Sequence, residues 1–289
     1  MFTLNSTSQE LNTSIPTALS GLSLECREAL TSICQWALKP ITLIAHTSMR
    51  WYVIGYTLRK ARAHMPVVSI ASAKGGCGKT TTGILLGAEL ALNHGYKVAL
   101  LDSDVNQHAS AFGKKAKIPN LTIMASIDEE NVLGKLREAE KNNDIVLVDL
   151  PGGSSTLALK AMQKSHFVLV PTQMSLMDVR DAMKTIAQID DAEDLAKSPI
   201  ARAILWTRVP QTFESRAAKR VRSDLEKVQE KNPNLTIFQA ALMERTAFRE
   251  MLFTSKVPSQ ELATSPAANN IDAIAKEVLA HLEKIAELA

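Results

Sequence analysis

Lys74-Gly75-Gly76-Cys77-Gly78-Lys79-Thr80-Thr81 decides how the rest of this 289-residue chain reads. A β-branched run, Val67-Val68-Ser69-Ile70, precedes it, and an apolar-periodic stretch begins near Thr82. Strand, glycine loop and helix in that order are what a phosphate-binding loop requires. Gly75, Gly76 and Gly78 let the backbone curl around an anion with its N–H groups inward, while the following helix presents its positive end. In such a loop Lys79 reaches the β- and γ-phosphates and the Thr80 hydroxyl goes to Mg²⁺. Cys77 and Thr81 complete the lining, Cys77 being either a small tolerated side chain or a redox-sensitive one. The plain alternative is a glycine-rich turn with two solvated lysines, and further motifs in register count against it. A second lysine, Lys74, opens the loop at a place where an ordinary phosphate loop needs none.

With that extra lysine the octapeptide resembles the deviant Walker A motif of the ParA/MinD group of ATPases, and the resemblance runs from about Met65 to the C-terminus. It implies an α/β fold: a single P-loop NTPase domain over 65–289, with a mostly parallel twisted sheet and helices on both faces. It also implies ATP and Mg²⁺ as cofactors, and hydrolysis to ADP and phosphate that is weak without a partner. Two subunits would sandwich two nucleotides, Lys74 reaching across to the partner's phosphates. Lys74, Lys79 and Asp104 would then carry catalysis.

Val98-Ala99-Leu100-Leu101-Asp102-Ser103-Asp104 is an apolar run ending in two acids, the pattern of a buried parallel strand with carboxylates at its C-terminal edge. It resembles the family's Asp-x-Asp-Pro-Gln motif, which implies that Asp104 orients the attacking water and that Asp102 sits near the Mg²⁺ shell. Val105-Asn106 replaces the usual Pro-Gln, a departure that bears on how the water is placed. Read without the family, the two acids could instead cap the next helix. Ile145-Val146-Leu147-Val148-Asp149, followed by Leu150-Pro151-Gly152-Gly153, resembles the Walker B strand and its switch loop, with Asp149 holding an Mg²⁺-bound water. The run from His166 to Thr172 resembles the strand before the partner-sensing helix. The run from Ala203 to Val209 resembles the strand that ends beside the adenine. Thr207-Arg208 stands there in place of the usual Asn-Arg, so both residues are counted with the nucleotide contacts.

Composition sets bounds on the rest. Charged residues make up 22% and hydrophobic ones 46%, a globular balance. Cys26, Cys34 and Cys77 lack zinc spacing and point to a reducing compartment, here the bacterial cytoplasm. The six histidines are scattered without metal-ligand spacing. The net charge of +3 arises in residues 1–64, which hold six basic and three acidic side chains; the remainder balances at 27 of each. Any affinity for nucleic acid must come from local patches.

Strand-like runs alternate with helical periodicity from Met65 onward, which argues for βαβ units. Helices are expected over about 80–93, 130–142, 156–164, 176–190, 215–231 and 271–288. Residues 1–64 differ: Ser/Thr-rich at first, broken at Pro40, and closing on Trp51-Tyr52-Val53-Ile54-Gly55-Tyr56 before Arg59-Lys60-Ala61-Arg62. Lys39, Pro40, His46 and Arg50 interrupt the apolar stretch well short of the roughly 20 residues a membrane span needs. Nor does the segment follow the plan of a signal peptide. It reads as a regulatory or partner-binding extension, a membrane-surface segment, or the product of a start codon set too early.

Three uses of such an ATPase can be weighed. In DNA segregation, the ATP dimer coats DNA without sequence preference, associates with the nucleoid, and is released when a ParB-like partner stimulates hydrolysis. Arg216, Lys219 and Arg220 would share one helix face, with Arg222 beside them, fit for phosphate contacts. The bland alternative is a solvated face paired with Glu214, Asp224 and Glu226. Membrane positioning, as in MinD-like proteins, needs a basic amphipathic C-terminal helix. Here that helix carries four acids against two lysines, so it is expected to pack on the sheet. Redox or metal handling needs cysteines downstream of the loop, and none follows Cys77. Within the DNA branch, Asp149 to Gly153, Thr207 to Val209 and Glu244-Arg245-Thr246-Ala247-Phe248 resemble ParA homologues of plasmids and conjugative elements, including T-DNA accessory ATPases that recruit a transfer complex.

Overall fold

The computed structural model of the chain describes residues 65–288; the N-terminal extension expected over 1–64 lies outside them. Eight strands form one sheet: β1 (Val67–Ile70), β2 (Val98–Asp102), β3 (Leu121–Met124), β4 (Ile145–Asp149), β5 (Phe167–Gln173), β6 (Ala201–Val209), β7 (Leu235–Ile237) and β8 (Leu242–Met243). The spatial order is β3-β2-β4-β1-β5-β6-β7, with β8 also on β6, and every pairing is parallel. The chain moves outward on one side of β1, returns to it, and then moves outward on the other. β1 therefore stands at the point where the winding reverses, where ligands sit in open α/β sheets.

Period-two alternation divides the strands' side chains between two helical layers. Toward α1 (Lys79–Leu92) point Ile70, Val98, Leu100 and Leu147; a Cβ at Gly83 or Gly87 would lie 3.2–3.3 Å from the side chains of these strands and of Leu121, so the helix lies close on the sheet. Toward the other layer point Ala99, Leu101, Val146, Val148, Val168, Val170, Ile204 and Trp206. That layer consists of α3 (Val132–Asn142), α4 (Thr156–Met162), α5 (Leu176–Ala196) and α6 (Arg216–Lys231). The parallel, doubly covered sheet expected from the sequence is the one observed.

Several elements differ from expectation. α5 runs to Ala196, past the expected end at 190, because Asp190 and Glu193 both pair with Arg202 on β6 and Ala192 is buried. α9 (Pro266–Leu288) starts five residues early, where Ser265 accepts the Ala268 N–H and Pro266 occupies the first turn. The sequence reading omitted α2 (His108–Lys115), α7 (Thr246–Thr254), α8 (Pro258–Glu261) and the short strands β3, β7 and β8. The apolar face of α9, expected on the sheet, has Ile271, Ile274, Ala275, Val278, Leu279 and Leu282 all buried; it packs mainly against α1, and meets the sheet at β8 and where His281 stacks on Phe167 of β5.

Candidate functional site

The loop from Lys74 to Gly78 leaves the C-terminal end of β1 and enters α1 directly. Gly78 is the N-cap, at φ 103°, and Gly76 is at φ 76°; both lie at positive φ, where glycine is favoured over residues with a Cβ. No side chain caps α1 and no acid occupies its first turn, so the helix's positive end opens onto the loop. The loop carbonyls are held from outside. The Cys77 carbonyl accepts from Thr207 Oγ1 at 2.8 Å, the Gly76 carbonyl from Gln173 Nε2 at 3.3 Å, and the Lys74 carbonyl from Lys79 Nζ at 3.3 Å. The Ala73 N–H donates to Thr185 Oγ1 of α5 at 2.8 Å. Cys77 is buried, its Sγ lying 3.5 Å from the Lys74 carbonyl.

Behind the loop, Asp149 ends β4 between Asp102 of β2 and Ile70 of β1. It is fully buried, and neither carboxylate oxygen has a hydrogen-bond partner. Burial raises its pKa to about 7; the Thr80 hydroxyl beside it opposes the shift without reaching hydrogen-bond geometry, and Asp102 adds to it. A buried, unpartnered carboxylate next to a threonine hydroxyl supplies oxygen ligands that suit a hard divalent cation with its waters, while the Lys79 ammonium suits phosphate. Asp102 is placed beside it, but its Oδ2 accepts from both the Ser110 N–H and Oγ at 2.7 Å, and Oδ1 from the Asp104 N–H at 3.2 Å. Asp104 is half-buried, its Oδ1 held by the Asn106 N–H and Nδ2 at 2.8 and 3.1 Å. Asn106 thus orients the acid in the motif's altered half.

Lys74 does not lie along its own loop. Its Nζ donates to Asp178 of α5 at 2.9 Å, and that hydrogen bond raises the lysine pKa. Two more α5 side chains touch the loops around the site: Thr185 on Ala73, and Gln188 on Ser154 of the switch loop. A Cβ at Gly152 would come within 3.4 Å of the Gly75 nitrogen, so the switch loop rests directly on the phosphate loop. Beyond Thr207 opens a cleft of about 390 Å³, lined by Gly78, Thr81, Arg208, Arg245, Phe248 and Arg249 among others. Arg208 lines it from a left-handed backbone, φ 52°.

The basic residues of α6 separate. Arg216, Lys219 and Arg220 are exposed, with Arg220 paired to Asp224 at 2.9 Å. Arg222 faces inward: its guanidinium lies 5.9 Å from the centre of the Trp206 ring and 3.1 Å from Glu214. Sequence reasoning passed over Asp178, Thr185, Gln173 and Gln107. Gln107 stitches the acidic loop by donating to the carbonyls of Asp102 and Asp104 and accepting from the Ser126 N–H. The one available signal was Ser175-x-x-Asp178, a helix-start pattern that locates Asp178 without revealing its partner.

Comparison with known proteins bears on the family and the fold. The model of the family described as VirC1 protein matches residues 65–289. The protein ParA of Rhizobium radiobacter is 29% identical over 185 residues, covering 64% of this chain and 81% of the relative. The protein virC1 of the same organism is 30% identical over 196 residues, covering 65% and 80%. Among solved structures, an ATP complex of a Cyanothece McdA variant superposes with TM-score 0.63 at 19% identity, over 75% of this chain and 97% of that one. The MinD protein of Pyrococcus horikoshii with Mg-ADP gives 0.54 at 20%, over 74% and 95%. At those identities the two structures establish the fold alone.

Proposed function

The chain belongs to the VirC1 protein family, within the ParA/MinD group of ATPases, and from that premise we propose that it is an ATP-driven switch that forms a nucleotide-sandwich dimer on DNA. The observation that carries the reading is the uncapped start of α1 wrapped by Lys74–Gly78 and facing the unpartnered carboxylate of Asp149. The loop's N–H groups and Lys79 hold the phosphates of ATP. Thr80 and Asp149 are the residues that would hold Mg²⁺, with Asp102 behind them; the ion supplies charge neutralisation of the phosphates. Asp104, fixed by Asn106, orients the water for attack. Lys74, released from Asp178, reaches the phosphates bound by a second copy and stabilises the charge that builds up in phosphoryl transfer. Arg208 would meet the base at the mouth of the cleft, which Thr207 also lines.

Arg216, Lys219 and Arg220 form the surface proposed for DNA phosphates, giving binding that is indifferent to sequence and weakened by salt. A ParB-like partner or a transfer complex sets the hydrolysis rate, read out through α5. Recruitment of a T-DNA or conjugative transfer complex is the second reading, favoured by the family match itself. Relatives named for chromosome partitioning and carboxysome distribution make positioning of a cargo the shared theme. A MinD-like membrane role has less support: among the described residues no helix is long and apolar enough to span a membrane, and the apolar face of α9 is buried.

The test is binding to non-specific duplex DNA with and without ATP at two salt concentrations, with anionic liposomes in parallel. ATP-dependent DNA binding that weakens with salt and in the Arg216→Glu/Arg220→Glu double variant is expected. Liposome binding without DNA binding would overturn the DNA reading.

A further inference from the structure

The sequence places Thr207 with the base, yet its hydroxyl is buried and turned away from solvent toward the phosphate loop. Gln173 and Thr207 are register partners on β5 and β6, and they hold consecutive loop carbonyls, Gly76 and Cys77. The Thr207 bond is the shorter and the buried one, 2.8 Å against 3.3 Å. The peptide joining Cys77 to Gly78 is trans, so its carbonyl and its N–H point in opposite directions. Drawing the Cys77 oxygen outward onto Thr207 therefore turns the Gly78 N–H inward, toward the place a phosphate oxygen would take. Local backbone geometry supports a dedicated role. The register of β6 on β8 shifts between Thr207 and Val209, two residues against one as in a bulge, and Arg208 between them is at φ 52°, in the left-handed region uncommon for residues other than glycine. Bulges of this kind re-aim a side chain.

We infer that Thr207 is a positioning residue of the phosphate loop, fixing the Cys77–Gly78 peptide in its anion-binding orientation, and not the reader of the base. This rests on the ATPase reading above. Removing the hydroxyl leaves the buried Cys77 carbonyl unpaired and frees that peptide to rotate, which loosens the loop around phosphate while leaving the cleft unchanged.

The experiment compares wild type, Thr207→Val and Thr207→Ser for binding of ATP, ADP, GTP and tripolyphosphate, the last having no base. Thermal unfolding is followed for each variant; if the valine variant does not fold, Thr207→Ala carries the same comparison. The expected result is a common loss of roughly ten- to a hundredfold for ATP, ADP and tripolyphosphate in the valine variant. The ratio of ATP to GTP affinity stays at its wild-type value, and serine restores binding. Loss of ATP affinity with tripolyphosphate unaffected would overturn the inference in favour of base recognition, as would unchanged binding of every ligand. Wild type binding neither ATP nor tripolyphosphate would instead remove the ATPase reading on which the inference rests.

Discussion

Asp149→Asn should leave the nucleotide-free protein more resistant to unfolding as pH rises, even though it removes a functional carboxylate. The reason is the environment: both oxygens are buried without a partner, and burial holds the folded pKa at about 7 against an ordinary 3.8. The folded state thus keeps its proton at a pH where the unfolded chain has already released it. Asp149's contribution to stability is whole below about pH 4, declines as pH climbs toward 7, and is fully lost above that. Three pH units at about 1.4 kcal/mol each put the ceiling of the loss near 4 kcal/mol. Asparagine has the same shape and does not titrate. Its amide adds a buried-polar penalty of its own, which is a constant offset at every pH and does not alter the slope. Urea unfolding of both proteins, stripped of metal and nucleotide with EDTA, should be followed from about pH 4 to 8.5. The difference in unfolding free energy, variant minus wild type, should rise by several kcal/mol across that range and then level off. Adding Mg²⁺ and ADP above pH 7 should narrow the gap by stabilising wild type more than the variant, since a charged carboxylate holds the cation more strongly than an amide oxygen. Parallel pH curves would refute the argument, because they would mean that Asp149 is already neutralised or solvated in the folded chain.

Two further outcomes follow from the same geometry. Lys74→Ala should bind ATP about as well as wild type, because Lys74 points to Asp178 and away from its own loop, yet fail to dimerise with ATP; a normal ATP dimer in sedimentation would remove the cross-interface role. Arg202→Met should destabilise by at most about 3 kcal/mol, because it strips a buried guanidinium from Asp190 and Glu193, which are exposed enough to take water in its place. An unchanged melting temperature would show that the pair contributes nothing.

The strands that could be read from sequence share one physical property: they are buried on both faces. β2 and β4 are apolar up to the acid that ends each, β1 is broken only by Ser69, and β5 is apolar up to Thr172; an acid at the C-terminal end of such a run has few roles other than meeting a ligand at the sheet's edge. The elements that escaped notice lie at the margins. β3 is an edge strand whose residues are only partly buried, so Leu121-Thr122-Ile123-Met124 carries no clear period. α7 and α8 are nine and four residues long and come in succession after the two-residue strand β8. At the site, residues that act through local sequence were legible, namely the loop and the strand-end acids. Residues that act through tertiary contact were not. Thr207 reaches the loop across 130 positions and Asp178 reaches Lys74 across 104, and neither carries a local mark of its partner.

That distinction explains why α5 matters more than its sequence suggests. Asp178, Thr185 and Gln188 fall at helical spacing on one side of a 21-residue helix. They contact, in turn, the Lys74 side chain, the backbone at the start of the phosphate loop, and Ser154 in the switch loop. The Thr185 contact is fixed by burial: its side chain is fully enclosed and also donates to the Asp181 carbonyl. In the proposed dimer the outer two contacts would be the ones to change, since Lys74 would have to leave Asp178 to reach a second copy and the loop after β4 lies against Gly75 through Gly152. The N-terminal end of α5, next to Asp178, carries Leu176 and Met177, two apolar side chains about 60% exposed. Under the proposed switch, a partner that docked on these side chains would bias the Lys74–Asp178 bond without any of its own residues entering the nucleotide site.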